Sequence, residues 1–255
     1  MQIGFMNEFD LTELIDEFQN PFENIYIQDL GLLDAPISKY MSFASFIEVL
    51  KGNFSVSNRT TFEDKVEHGE YNDRRFYFFH FFPVVKGLKP SEKDLERWSW
   101  EDKQRIASKY VYTSSWTYKT YEDYLMWRIY ASNGIGIRIN TTVKEFLSSL
   151  ILKNCKLICA KVHYKNAAKQ TAFDRLFLKN IEYDSEKEIR FCIVPNIIDI
   201  QKKRISVNVS PDFIKSVTLS PFESSNIIDM CRDTIVKLRQ DIAVEESKIL
   251  INNKF

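Results

Sequence analysis

Apolar and polar positions alternate with a period of two in several short stretches of this chain and fall at helical spacing in others. Alternation or β-branched and aromatic content predicts strands at 37–41, 54–57, 111–117, 135–139, 156–164, 205–209 and 217–220. Helical spacing predicts Asn7 to Phe18, and then Phe43 to Leu50 with Ser42 as its cap and Gly52 as its stop. The stretch from Pro36 to Ser57 therefore reads strand, helix, strand. A further helix is expected with Thr120 as its cap and Glu122 and Asp123 in its first turn, where carboxylates suit the positive end of the dipole. Tyr124, Trp127, Arg128 and Ala131 share one face of it, and Asn133-Gly134 closes it.

More helices are predicted from the start signal at Pro90, at 101–108, at 141–150, at 169–179 and, as one long final element, from Asn226 to Glu246. The aromatic run at 76–82 fits a buried strand or a helix segment, and periodicity does not choose between them. Helices and strands mix without a regular βαβ rhythm, so the fold class is α+β, with mixed or antiparallel central sheets and flanking helices. Residues 1–36 form an N-terminal helix and lead-in, 37–225 a single α+β domain, and 226–255 a C-terminal helix packed on it.

The most informative stretch is Lys179 to Val194, KNIEYDSEKEIRFCIV. Its polar, acidic start gives way to an apolar β-prone end. Read as one strand from Glu186, it puts Glu186, Glu188 and Arg190 on one face and Lys187, Ile189 and Phe191 on the other. If the charged face lines a cleft, two carboxylates and a guanidinium there can hold ribose hydroxyls and stabilise a developing cation. An edge strand carrying a ladder of solvated charges fits the same pattern.

Composition narrows the picture. The 255 residues suffice for one large core, and 35 basic against 35 acidic side chains give no net field toward nucleic acid or anionic lipid. Cys155, Cys159, Cys192 and Cys231 form no CxxC pair and read as reduced and mostly buried, as expected of a cytoplasmic protein. Acids within the first twenty residues argue against a secretory leader, and no apolar stretch reaches the length of a membrane span. There is no glycine-rich phosphate loop, no HExxH and no GxSxG elbow, which disfavours P-loop ATPase, zinc hydrolase and serine esterase chemistry, and no metal site is expected. Asp64 and Glu67, with Glu186, could serve a magnesium-dependent nuclease if the fold brought them together.

Three blocks carry a resemblance. They are Lys39-Tyr40 with Gly52-Asn53-Phe54-Ser55-Val56; Ser115-Trp116-Thr117 with Met126-Trp127-Arg128-Ile129-Tyr130 and Gly134-Ile135-Gly136; and Lys179, Tyr183, Glu186, Glu188, Arg190. In order and spacing they resemble the bacterial and phage domain-of-unknown-function family 2971 across roughly residues 37–225. That family's Asn-Asp-Pro-Phe-Glu block survives here only as Glu63-Asp64-Lys65-Val66-Glu67.

The layout also resembles, more distantly, the ADP-ribosyltransferases. These begin with a strand whose His or Arg holds the NAD adenosine ribose, continue through a helix and a second strand, and end on a strand with a catalytic Glu. Here Lys39 or Tyr40 stands at the first position, Ser114 and Ser115 lie on the middle strand, and Glu186-x-Glu188 comes late. The resemblance implies NAD as substrate, with Glu188 stabilising the ribose cation and Glu186 orienting or deprotonating the acceptor. It implies Trp127 and Tyr130 as stacking surfaces and Arg128 or Arg190 as partners of the diphosphate. Lys39, Tyr40, Ser114 and Ser115 complete the expected NAD-binding set. The expected partner is a macromolecular acceptor, protein or nucleic acid, in the setting of a toxin or antiphage effector, with room for a regulatory protein and no membrane. Large aromatics mostly fill cores, and Trp127 and Tyr130 at helical spacing fit that role ahead of stacking. The Ser114-Ser115 pair also fits plain strand positions, and Arg190 fits an internal ion pair with Glu186 or Glu188. A non-catalytic nucleotide- or protein-binding module is the second expectation.

Overall fold

The computed structural model describes residues 18–58, 111–131, 134–153, 155–164, 176–195 and 202–250. The expectations for Asn7–Phe18 (apart from Phe18), the aromatic run at 76–82, the helices at Pro90 and 101–108, the pair Asp64 and Glu67, and most of 169–179 lie outside the described residues.

The strands are β1 (Gln19–Phe22), β2 (Ile25–Ile27), β3 (Pro36–Ser42), β4 (Asn53–Asn58), β5 (Tyr112–Thr117), β6 (Gly136–Thr142) and β7 (Leu150–Ile151). They continue as β8 (Cys155–Lys161), β9 (His163–Tyr164), β10 (Leu178–Lys179), β11 (Glu188–Pro195), β12 (Arg204–Val209), β13 (Ser216–Leu219) and β14 (Ala243–Glu246). The helices are α1 (Phe43–Leu50), α2 (Tyr124–Tyr130), α3 (Val143–Ser149) and α4 (Ser225–Leu238). A large mixed sheet with few helices makes the chain α+β, as its irregular rhythm predicts.

The sheet branches. Its main path runs β1-β2-β8-β11-β5-β3-β6-β13-β14, and a second branch leaves β5 through β4 to β12 and β7. One edge of β5 pairs with β11 along its whole length, from Thr117 opposite Glu188 to Tyr112 opposite Ile193. The other edge is shared: Thr117 pairs with Ser38 of β3, whereas Thr113 and Tyr112 pair with Ser57 and Asn58 of β4. Between these pairs, Ser114 to Trp116 has no strand neighbour on that edge among the described residues. The sheet splits there, and α1 spans the gap from β3 to β4.

Local chemistry explains that unit. Ser42 caps α1 by accepting from the Ser45 N–H, and Gly52 leaves the helix at φ 87°, a conformation that costs a side chain but not glycine. The main core packs on one face of the sheet around Trp116, whose ring meets Phe146 at 4.6 Å and Phe191 at 6.2 Å between centroids. On β11, Ile189, Phe191 and Ile193 point into that core, while Cys192 and Val194 pack on the opposite face with Leu176 and Phe177.

Several sequence expectations change. Within residues 1–36, expected as an N-terminal helix and lead-in, lie the short strands β1 and β2, and β2 joins the sheet beside β8. Asp123, not Thr120, caps α2, because its carboxylate accepts from both the Leu125 and Met126 N–H groups. The final helix stops at Leu238, and Ala243–Glu246 instead becomes β14, parallel to β13. The strand expected from Glu186 begins at Glu188, and Ile181–Glu186 is a 3-10 turn closed by Lys187 in a left-handed conformation at φ 47°. Leu178–Lys179, expected as the end of a helix, is the strand β10, because its backbone pairs with β9.

Candidate functional site

A cleft of about 780 Å³ opens where the sheet splits, within the roughly 300–1,000 Å³ range of ligand sites. Strands β3, β4 and β5 and helices α1 and α2 supply most of its walls. Lys179, Glu186 and Glu188 form a charged cluster at one wall.

The cluster is built by two devices. The alternation of β11 puts Glu188 and Arg190 on one face, opposite the core-facing Ile189 and Phe191. The turn at Lys187 then returns the preceding residue to the same region: Thr117 Oγ1 donates to the Glu186 carbonyl at 2.8 Å, and the Tyr118 N–H donates to the Lys187 carbonyl at 2.9 Å. These bonds pin the turn to the end of β5.

Arg190 clamps Glu188 from two positions along its own strand, with Nε 2.8 Å from Oε1 and Nη2 3.2 Å from Oε2. Its remaining arm donates from Nη1 to the Leu176 carbonyl at 2.8 Å. Lys179 Nζ donates to Glu186 Oε2 at 2.8 Å and sits 3.7 Å from Glu188 Oε2. Tyr130 Oη donates to Glu186 Oε1 at 3.1 Å, and the Glu188 N–H donates to Tyr164 Oη at 2.8 Å.

These surroundings push the two carboxyls apart. Burial raises Glu186, and the Lys179 ammonium only partly opposes it. Burial also pulls Glu188 upward, but the Arg190 charge and hydrogen bonds, with Lys179 behind them, hold it below the usual glutamate value. Neighbouring carboxyls driven in opposite directions can divide acid–base and charge-stabilising roles.

Lys39 occupies the split itself. Its Nζ donates to the Ser115 carbonyl at 2.9 Å, a backbone acceptor facing the edge where β5 lacks a strand partner among the described residues. Burial lowers its pKa to about 8, against an opposing pull from Glu188.

The structure gathers some of the anticipated residues and separates others. Glu186, Glu188, Lys39, Tyr40, Ser115 and Tyr130 all line the cleft. Ser114 lies on the other face of β5, where its Oγ accepts from Trp116 Nε1 at 3.0 Å. Trp127 is fully buried, edge-on to Tyr40 at 4.8 Å, and its Nε1 donates to Glu122 at 3.1 Å. Arg128 turns away to lie 4.0 Å over the Phe222 ring. Arg190 is wholly buried behind Glu188. The sequence-based site omits Arg204 and assigns no role to Lys179, which stands seven residues before Glu186. The two-residue β9–β10 pairing carries Lys179 into the site, and no local pattern announces so short a parallel pair.

No protein-family model, no curated protein and no solved structure matches this chain. Among the described residues, no helix is long and apolar enough to cross a membrane.

Proposed function

We propose that this chain is an enzyme of ADP-ribosyltransferase-like design that breaks the nicotinamide–ribose bond of NAD and passes the ADP-ribosyl group to a macromolecular acceptor or to water. The observation carrying this reading is the Glu186–Glu188 pair, oppositely biased in ionisation, on the wall of a ligand-sized cleft in a split sheet. NAD supplies a glycosidic bond whose cleavage leaves positive charge on the ribose, while the bonding electrons neutralise the nicotinamide ring. Glu188, kept ionised by Arg190 and only 2% exposed, provides fixed negative charge in a dry setting where such charge is most effective. Glu186, raised toward the working range of a base, accepts the proton released when the acceptor attacks, and Lys179 and Tyr130 orient it. Lys39 and Arg204 line the same cleft and suit a diphosphate.

A second reading draws on the Arg190 clamp. With both Glu188 oxygens engaged, the cleft would recognise a nucleotide without turning it over. Calorimetric titration of the whole chain with NAD, followed by assay for free nicotinamide, separates the two. Ser55→Trp, which fills the cleft from the exposed face of β4, serves as the blocked control. Binding with release supports the enzyme; binding without release supports the recognition module; no binding by the wild type counts against both.

A further inference from the structure

We propose that Lys39 is a nucleophilic lysine that condenses with an aldehyde-bearing, phosphorylated small molecule in the cleft to form an imine. This inference does not rest on NAD as the substrate. Lys39 lies between Ile37 and Met41 on β3, and those two neighbours on its face belong to the apolar core. Among the described residues its ammonium has one hydrogen-bond acceptor, the Ser115 carbonyl, and the Trp116 ring centroid lies 5.8 Å away. No carboxylate among the described residues stands within ion-pair distance of it. The charged groups lining the same cleft are Glu48 on α1, Arg204 on β12, and the cluster of Lys179, Glu186 and Glu188.

Lys179 differs sharply, because Glu186 and Glu188 both engage it. A lysine desolvated on a cleft wall without a salt-bridge partner is the arrangement that frees an amine for attack on a carbonyl. The lowering to about 8 agrees, and gives roughly two orders of magnitude more free amine at neutral pH than an ordinary lysine has. Arg204, exposed on the cleft's β4–β12 side and likewise without a carboxylate partner among the described residues, fits the phosphate.

In the reaction, the Lys39 amine attacks the aldehyde carbon, the carbonyl electron pair moves to oxygen, and that oxygen takes up the proton the nitrogen releases. The resulting carbinolamine loses water to give the imine. Once protonated, the imine keeps one N–H, enough to retain the bond to the Ser115 carbonyl.

The test uses pyridoxal 5′-phosphate as the aldehyde and borohydride as the hydride donor that fixes the imine as a secondary amine, followed by peptide mapping of the full chain. The expected result is rapid labelling of about one site per chain, at Lys39, with a midpoint near pH 8. Arg204→Gln should slow labelling by pyridoxal phosphate several-fold while leaving labelling by unphosphorylated pyridoxal unchanged. Label spread over surface lysines, with Lys39 no faster than the rest, would overturn the proposal. The wild-type map alone decides the site, so the test needs no substitution at Lys39. Absence of both NAD binding and NAD turnover with Lys39 labelling intact would sink the NAD reading and leave this one standing.

Discussion

Arg190 and Glu188 face each other from two positions along the same strand and share a bidentate contact, 2.8 Å and 3.2 Å, with neither side chain more than 3% exposed. The pair joins the buried face of β11 to the cleft, because Glu188 lines the cleft and Arg190 backs it.

Arg190→Met tests the energetic role of that pair. Removing the guanidinium leaves a buried carboxylate with only Lys179 and the Ser115 hydroxyl beside it among the described residues, and frees the Leu176 carbonyl. Urea unfolding should show a loss of about 3–5 kcal/mol. A loss below about 1 kcal/mol would mean that Glu188 is far better hydrated than its burial implies.

The opposite biases of Glu186 and Glu188 predict opposite pH signatures. Glu188, held below its unfolded value of about 4.3, adds stability above that pH that is lost as pH falls through the depressed folded value. Glu186, raised by burial, adds stability below about pH 4.3 that is lost as pH rises through its raised folded value. Relative to wild type, the deficit of Glu188→Gln should therefore shrink on acidification and that of Glu186→Gln should grow. Urea midpoints at neutral and acid pH measure both, and same-sign trends would refute the assignment.

Phe146 anchors the core beneath the cleft, with ring centroids 4.6 Å from Trp116, 4.9 Å from Phe191 and 5.1 Å from Phe54. Phe146→Ala should cost about 3–5 kcal/mol in denaturant unfolding, from lost burial and the cavity left behind. A much smaller loss would show that α3 collapses into the space.

The strand–helix–strand unit of β3, α1 and β4 was legible because each boundary has a local cause: the Ser42 cap, the Gly52 exit and clean alternation in Phe54 to Ser57. The facing of Glu188 and Arg190 against Ile189 and Phe191 followed from the same alternation. What pattern could not supply is non-local. The split of β5 between two partners, the arrival of Lys179 through a two-residue pairing, and the conversion of 243–246 into a strand beside β13 all depend on residues distant in sequence. Trp127 and Arg128 show the converse. Aromatic and basic side chains on a helix beside a cleft look like ligand groups in sequence, yet one fills the core and the other lies on Phe222.

The most direct test of the proposed activity is nicotinamide release from NAD by wild type beside Glu188→Gln and Glu186→Gln, with folding of each checked by circular dichroism. Division of roles between the carboxyls predicts release by wild type, a fall of at least about 100-fold in folded Glu188→Gln, and a loss in Glu186→Gln that is greatest where the base must be ionised. Release by wild type that persists undiminished in folded Glu188→Gln would contradict the account at its centre.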